Sequence, residues 1–130
     1  MAIFKSQWRK TILTPSNTIK DAINNLNASS LKIVLVEDAD KNFIGTVSDG
    51  DIRRGLLNGM ALETSIRKIT NINSVTVLDK TNPKDVYTLM QSKKILQIPI
   101  VTSSKKLIGL HVWEDLNKIN QIDNIFFVMS

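Results

Sequence analysis

The sequence predicts an α+β fold made of two β-α-β-β-α units related by a pseudo-twofold axis, with their small sheets packed together. Three observations predict it. Shifted by 64 positions, the chain aligns with itself without a gap: Lys20-Asp21 falls on Lys84-Asp85, Ile44-Gly45 on Ile108-Gly109, and Asp51 on Asp115. Apolar classes keep the same register, with Leu26 on Met90, Val34 on Ile98, Val36 on Ile100, Phe43 on Leu107 and Ile52 on Leu116. Such a repeat is the first thing to seek in a sequence, because it sets the architecture. Finally, 130 residues suit one domain, or two very small units that share a core.

Each half reads alike. Thr11-Ile12-Leu13 and Val75-Thr76-Val77 are short β-prone openings. A helix follows the first, with Ile19, Ala22, Ile23 and Leu26 at the spacing of one buried face. Its counterpart carries Val86, Leu89 and Met90, capped by Asn82 with Pro83 at the first helical position. Strands at Ile33 to Val36 and Phe43 to Val47 flank the turn-forming stretch Glu37 to Asn42. The second half repeats them as Gln97 to Val101 and Leu107 to Val112, around Ser103-Ser104-Lys105-Lys106. A closing helix starts near Asp49 and stops at Asn58-Gly59. The division is then 1–72 for the first repeat with its linker, 73–120 for the second, and 121–130 for a segment leading into a downstream domain. One such unit cannot bury both faces of its sheet alone. Two in tandem can, and their packing places two similar clefts between the halves.

Composition narrows the function. An apolar fraction of 42% and a charged fraction of 22% are those of a soluble globular protein. There is no cysteine, hence no disulfide framework, thiolate metal site or cysteine nucleophile, and one histidine excludes a histidine metal cluster. No signal peptide is expected, because the opening apolar stretch stops at Phe4. Ile125 to Met129, the longest apolar run, is too short to cross a bilayer, so the expected location is cytoplasmic. That run reads as a strand belonging to the downstream domain. The net charge of +5 suits anionic partners, but the basic residues are scattered and sparsely interleaved with aromatics, which weighs against nucleic acid.

The stretch that carries chemistry is Gly45 to Arg54, GTVSDGDIRR. Ser48 and Asp51 stand three apart at a helix start, which is a capping box whatever else it does. In the repeat, that helix start also faces a cleft, which adds a second reading: a place where something phosphorylated or sugar-bearing is held. Arg53 and Arg54 are within reach of such a phosphate, although arginines on a short helix more often sit in solvent. His111, whose repeat mate is Val47, reads as a partly buried histidine rather than a catalytic one. Trp8 and Trp113 suit either base stacking or, better, packing against a neighbouring domain or subunit. No acid–base pair, metal cluster or phosphate-cradling glycine loop appears, which points away from catalysis by this chain alone.

These residues resemble the CBS-domain pair, often called a Bateman module, from about Thr11 to Lys118. The markers are the strand with a late proline, Gln97-Ile98-Pro99-Ile100-Val101, and the strand-to-helix signature with Gly45, Ser48 and Asp51. The stretch GTVSDGDIRRGLLN, together with Ile108 to Leu116, is similar to the pair preceding bacterial sugar-phosphate nucleotidylyltransferase domains. Sugar-phosphate isomerases with C-terminal CBS pairs carry a similar Asp-Gly-Asp-x-Arg-Arg stretch and are the nearest competitor. The resemblance implies a regulatory, non-catalytic module that binds an adenine nucleotide (AMP, ADP or ATP) and forms homodimers through its helices, for which Leu56, Leu57 and Leu116 are candidates. It implies a first cleft of Ser48, Asp51 and Thr46 opposite Val75, Leu96, Gln97 and Pro99. A second would join Asp115 to Thr11, Lys32 and Ile33, and it departs from the pattern where Val112 replaces the hydroxyl and Leu35 the proline. The rival of another class is an interaction module that binds no ligand and serves only to dimerise its parent.

Overall fold

The computed structural model describes residues 7–118 and contains two three-stranded sheets, each flanked by helices. In the first, β1 (Ile12–Leu13) pairs parallel with β2 (Val34–Glu37), which pairs antiparallel with β3 (Phe43–Val47). In the second, β4 (Val77–Leu78), β5 (Gln97–Val101) and β6 (Leu107–Val112) repeat that order and those directions. The registers coincide under the 64-residue shift. Leu13 faces Val36 as Val77 faces Ile100, Leu35 faces Thr46 as Pro99 faces Leu110, and both hairpins slip at the same place, Val36/Glu37 and Ile100/Val101.

The axis relating the halves is visible in the hydrogen bonds. Asn42 forms an antiparallel bridge with Lys106, its own repeat mate. Next to it, the Phe43 amide donates to the Lys105 carbonyl at 2.8 Å. Both hairpin turns use a left-handed lysine, Lys41 at φ 66° and Lys105 at φ 67°. The two turns therefore meet back to back on the pseudo-twofold.

The three main helices have sequence-encoded starts. Helix α1 (Ile19–Ala28) begins with a capping box, in which the Thr18 hydroxyl accepts from the Asp21 amide and the Asp21 carboxylate accepts from the Thr18 amide. Helix α2 (Asp49–Leu57) has the same device in Ser48 and Asp51, and ends at Asn58 before Gly59 at φ 89°. Helix α3 (Pro83–Lys93) follows the Asn82 cap, whose side-chain oxygen accepts from the Lys84 amide at 2.8 Å, with proline at the first position as expected. Residues 113–118 form a further helical stretch, α4, in the place that α2 occupies in the first half.

Three apolar clusters follow from this layering. Ile19, Ala22, Val34, Val36, Val47 and Ile52 fill the first half between sheet and helices. Val77, Val86, Met90, Ile98 and Leu116 fill the second. Between the sheets lie Leu31, Ile33, Leu35, Val101 and Leu107, together with Trp8. Alternate residues of β2 serve different clusters, Val34 and Val36 one face and Leu35 the other, so the strand is buried on both sides.

The structure corrects several expectations. β2 runs from Val34 to Glu37, not from Ile33 to Val36, and the opening strands start later, at Ile12 and Val77. Thr11 instead ends a 3-10 turn, Gln7–Thr11, closed by its hydroxyl donating to the Trp8 carbonyl at 2.6 Å. Trp8 does not wait for another domain, because it is only 3% exposed and packs between the two sheets. Leu116 belongs to the second core and is no candidate for a dimer surface, whereas Leu57 is 79% exposed. The linker is also more than a tether. Its Ile66 is fully buried in the first core, and the carbonyls of Thr64 and Leu62 receive the first amides of α1, Ile19 and Lys20, at 2.9 Å each. Ile125 to Met129 and the division at 121–130 lie outside the described residues.

Candidate functional site

The β3-to-α2 turn sets out the site. Ser48 follows the strand as the extended N-cap of α2, and its hydroxyl accepts from the Asp51 amide at 3.2 Å. Asp51 Oδ2 in turn accepts from the Ser48 amide at 2.9 Å and from the Ser48 hydroxyl at 3.0 Å. Its other oxygen, Oδ1, accepts from Arg54 Nη2 at 2.7 Å. The Asp51 side chain is 17% exposed and that of Arg54 69%, so the carboxylate sits inside the rim and the guanidinium outside it. Arg53 turns away and pairs with Asp49.

A cleft of ≈ 450 Å³ opens over this turn. Thr46, Ser48 and Asp51 line one side of it, and Val75, Leu96, Gln97 and Pro99 line the other. The structure thus brings together the seven residues expected in the first cleft. The pseudo-twofold explains why, since it sets the start of α2 opposite the proline-bearing strand β5. Leu96 lines the cleft and is 57% exposed. The Gln97 side-chain amide donates to the Leu31 carbonyl at 2.9 Å, which fixes the side chain across the repeat boundary.

Sequence reasoning missed the rest of the lining: Ile33, Asn71, Asn73, Ser74, Lys94 and Ile95, and it gave Arg54 only a secondary place. Asn71, Asn73 and Ser74 bring the linker into the cleft wall. Thr46 and Asn71 exchange backbone hydrogen bonds at 3.2 and 2.8 Å, and Thr46 Oγ1 lies 2.6 Å from Ser74 Oγ, which donates to the Asn71 carbonyl. The signal for this crossing was Gly45. A Cβ there would stand 2.3 Å from the Asn71 carbonyl oxygen, so only glycine lets the linker pass. Lys94 reaches the cleft from the left-handed residue that ends α3, at φ 56°. Two cations, Arg54 and Lys94, therefore face one carboxylate, and the cleft suits an anion that also carries hydroxyls.

The second cleft is smaller, ≈ 250 Å³. Gln7, Ser30, Leu31, Lys32, Gln97, Val112 and Asp115 line it, each the repeat mate of a residue in the first cleft. Lys32 and Asp115 are brought together as expected. Thr11 and Ile33 are not, because Thr11 is fully buried and Ile33 lines the first cleft. Val112 offers no hydroxyl at the helix start, and Trp113 replaces Asp49, stacking on Tyr87 with ring centroids 4.7 Å apart. Burial pushes the Asp115 carboxyl above its ordinary value. This cleft disfavours a carboxylate, where the first one holds its carboxylate in a hydrogen-bonded box.

A third cavity, ≈ 750 Å³, is lined by Trp8, Asp79, Asn82, Gly109, His111 and Asp115, among others. Its walls are the repeat mates of the surfaces over which residues 64–71 run in the first half. Burial lowers the His111 pKa, with Asp115 and Asp79 pulling it back up. Among the described residues no group of histidines and carboxylates could hold a metal ion, and no helix is long and apolar enough to cross a membrane.

Known proteins share this fold. Residues 9–58 match the family model of the CBS domain. Arabinose 5-phosphate isomerase GutQ of Escherichia coli K12 is 30% identical over 92 residues, which is 71% of this chain and 29% of GutQ. The chain thus spans about three-tenths of the length of that relative. AcuB from Vibrio cholerae superposes with a TM-score of 0.78 at 24% identity, over 92% of this chain and 88% of AcuB. CBSX2, solved in complex with AMP, gives 0.77 at 22% identity, over 93% and 96%. Likeness at these identities establishes the fold.

Proposed function

We propose a regulatory role for this chain, which is a CBS-domain pair: it senses an adenine nucleotide in the first cleft and modulates an attached sugar-phosphate enzyme. One observation carries the reading. Residues from both repeats, Ser48 and Asp51 on one side and Val75, Leu96 and Pro99 on the other, converge on a single cleft of ≈ 450 Å³, a size within the usual range for small-ligand sites. The apolar wall of Val75, Leu96 and Pro99 suits a base. The Asp51 carboxylate suits the ribose diol. The start of α2, whose first amides have no carbonyl partner within the helix, suits a phosphate together with Arg54 and Lys94. The AMP held by CBSX2 lends support to this choice of ligand.

The attached enzyme has two readings. The signature stretch resembles that of nucleotidylyltransferases, while the GutQ alignment favours a sugar-phosphate isomerase, and the coding sequence flanking the chain distinguishes them. The rival function, a dimerisation module without a ligand, rests on the exposed Leu56 and Leu57 of α2, and sedimentation tests that face directly. Calorimetric titration of the chain with AMP, ADP and ATP decides between sensing and dimerisation alone. Saturable binding with one site per chain is expected. No heat with any of the three at millimolar concentration overturns the proposal.

A further inference from the structure

Asp51 cannot serve Arg54 and a ribose diol at once. A carboxylate offers about four acceptor positions. Ser48 takes both on Oδ2, through its amide and its hydroxyl, and Arg54 takes one on Oδ1. One position remains, and a diol has two hydroxyls to place. The Ser48 bonds lie within the helix cap and are fixed by the backbone. The Arg54 bond is held only by a long side chain that is 69% exposed. The guanidinium lies back across Gly50, where a Cβ would stand 3.2 Å from Nη1, so the first turn of α2 leaves it room to move. Arg54 is therefore the partner that a diol displaces.

Resting on the nucleotide reading of this cleft, we infer that Arg54 is a ligand-exchanged residue that sets the preference for nucleotide over nucleoside. In the free protein it occupies the ribose acceptor on Asp51. When a nucleotide enters, the diol takes that oxygen and the released guanidinium pairs with the phosphate, on the opposite side of the cleft from Lys94. A nucleoside displaces Arg54 and offers it nothing in return. The same arginine thus opposes adenosine and favours AMP.

The test compares AMP and adenosine, by calorimetry, on the wild-type chain and on Arg54→Gln and Arg54→Lys. For Arg54→Gln the expected result is a loss in AMP affinity of about tenfold or more, with adenosine affinity unchanged or higher. Arg54→Lys should retain part of the AMP preference, because it keeps the charge without the planar fork. If Arg54→Gln weakens both ligands by the same factor, or neither, the exchange is overturned while the nucleotide reading stands. If the wild-type chain binds neither AMP nor adenosine, the nucleotide reading itself fails and the exchange falls with it.

Discussion

Single residues show how far one side chain can belong to both the fold and the site. Ser48 and Asp51 make a capping box and also line the first cleft, so the capping reading and the proposed ligand reading are geometrically compatible. Their spacing was legible in the sequence because three residues separate an N-cap from the amide it serves. The Arg54 contact was not legible, since an arginine three positions along a helix can equally point to solvent. His111 illustrates a residue whose environment sets a pH response. Burial holds its imidazole below the ordinary value of 6.5, more strongly than Asp115 and Asp79 raise it. Protonation then favours the unfolded chain, and the stability involved is complete above the unfolded-state value and lost as pH falls from there through the lower folded-state value. Urea unfolding at neutral pH and about one unit below the ordinary histidine value should show a loss in the wild type that is smaller in His111→Gln. Equal losses in the two proteins would contradict the assignment.

At the scale of elements, the repeat was legible and its breaks were not. The helices, the hairpins and the late proline of β5 follow from periodicity and turn residues. The 3-10 turn at Gln7–Thr11 and the linker's packing were hidden, because both depend on contacts with residues distant in sequence. Gly45 and Gly109 are repeat mates with different reasons for being glycine. A Cβ at Gly45 would meet the Asn71 carbonyl oxygen at 2.3 Å and Thr70 Cγ2 at 2.8 Å, in a strip pinned by reciprocal Thr46–Asn71 bonds. At Gly109, among the described residues, it would meet the Ile100 side chain, Cδ1 at 3.0 Å, which can turn aside. Gly45→Ala should therefore destabilise by about 1–3 kcal/mol or more, and Gly109→Ala by clearly less. Denaturant midpoints measure the difference, and equal shifts would mean that the linker does not press on β3.

For the whole molecule, the pseudo-twofold is the device that turns two incomplete units into one protein with two unequal clefts. Each sheet alone would leave a face wet; together they bury Trp8, Leu31, Ile33, Leu35, Val101 and Leu107 between them. The same axis sets each helix start against the other half's strands. The first cleft keeps its hydroxyl, its proline strand and two cations. The second has Val112 in place of the hydroxyl and a carboxyl pushed up by burial, while Leu35, the mate of Pro99, is buried between the sheets. The sequence showed this asymmetry in its substitutions, but not the difference in volume, ≈ 450 against ≈ 250 Å³. The claim that the first cleft is the nucleotide site is tested most directly by titrating AMP into the wild type, Asp51→Ala and Asp115→Ala, with each variant shown to be folded. Losing a charged hydrogen-bond partner predicts an affinity about ten- to a hundredfold lower for Asp51→Ala and near wild type for Asp115→Ala. Unchanged affinity in Asp51→Ala, or an equal fall in both variants, would contradict it.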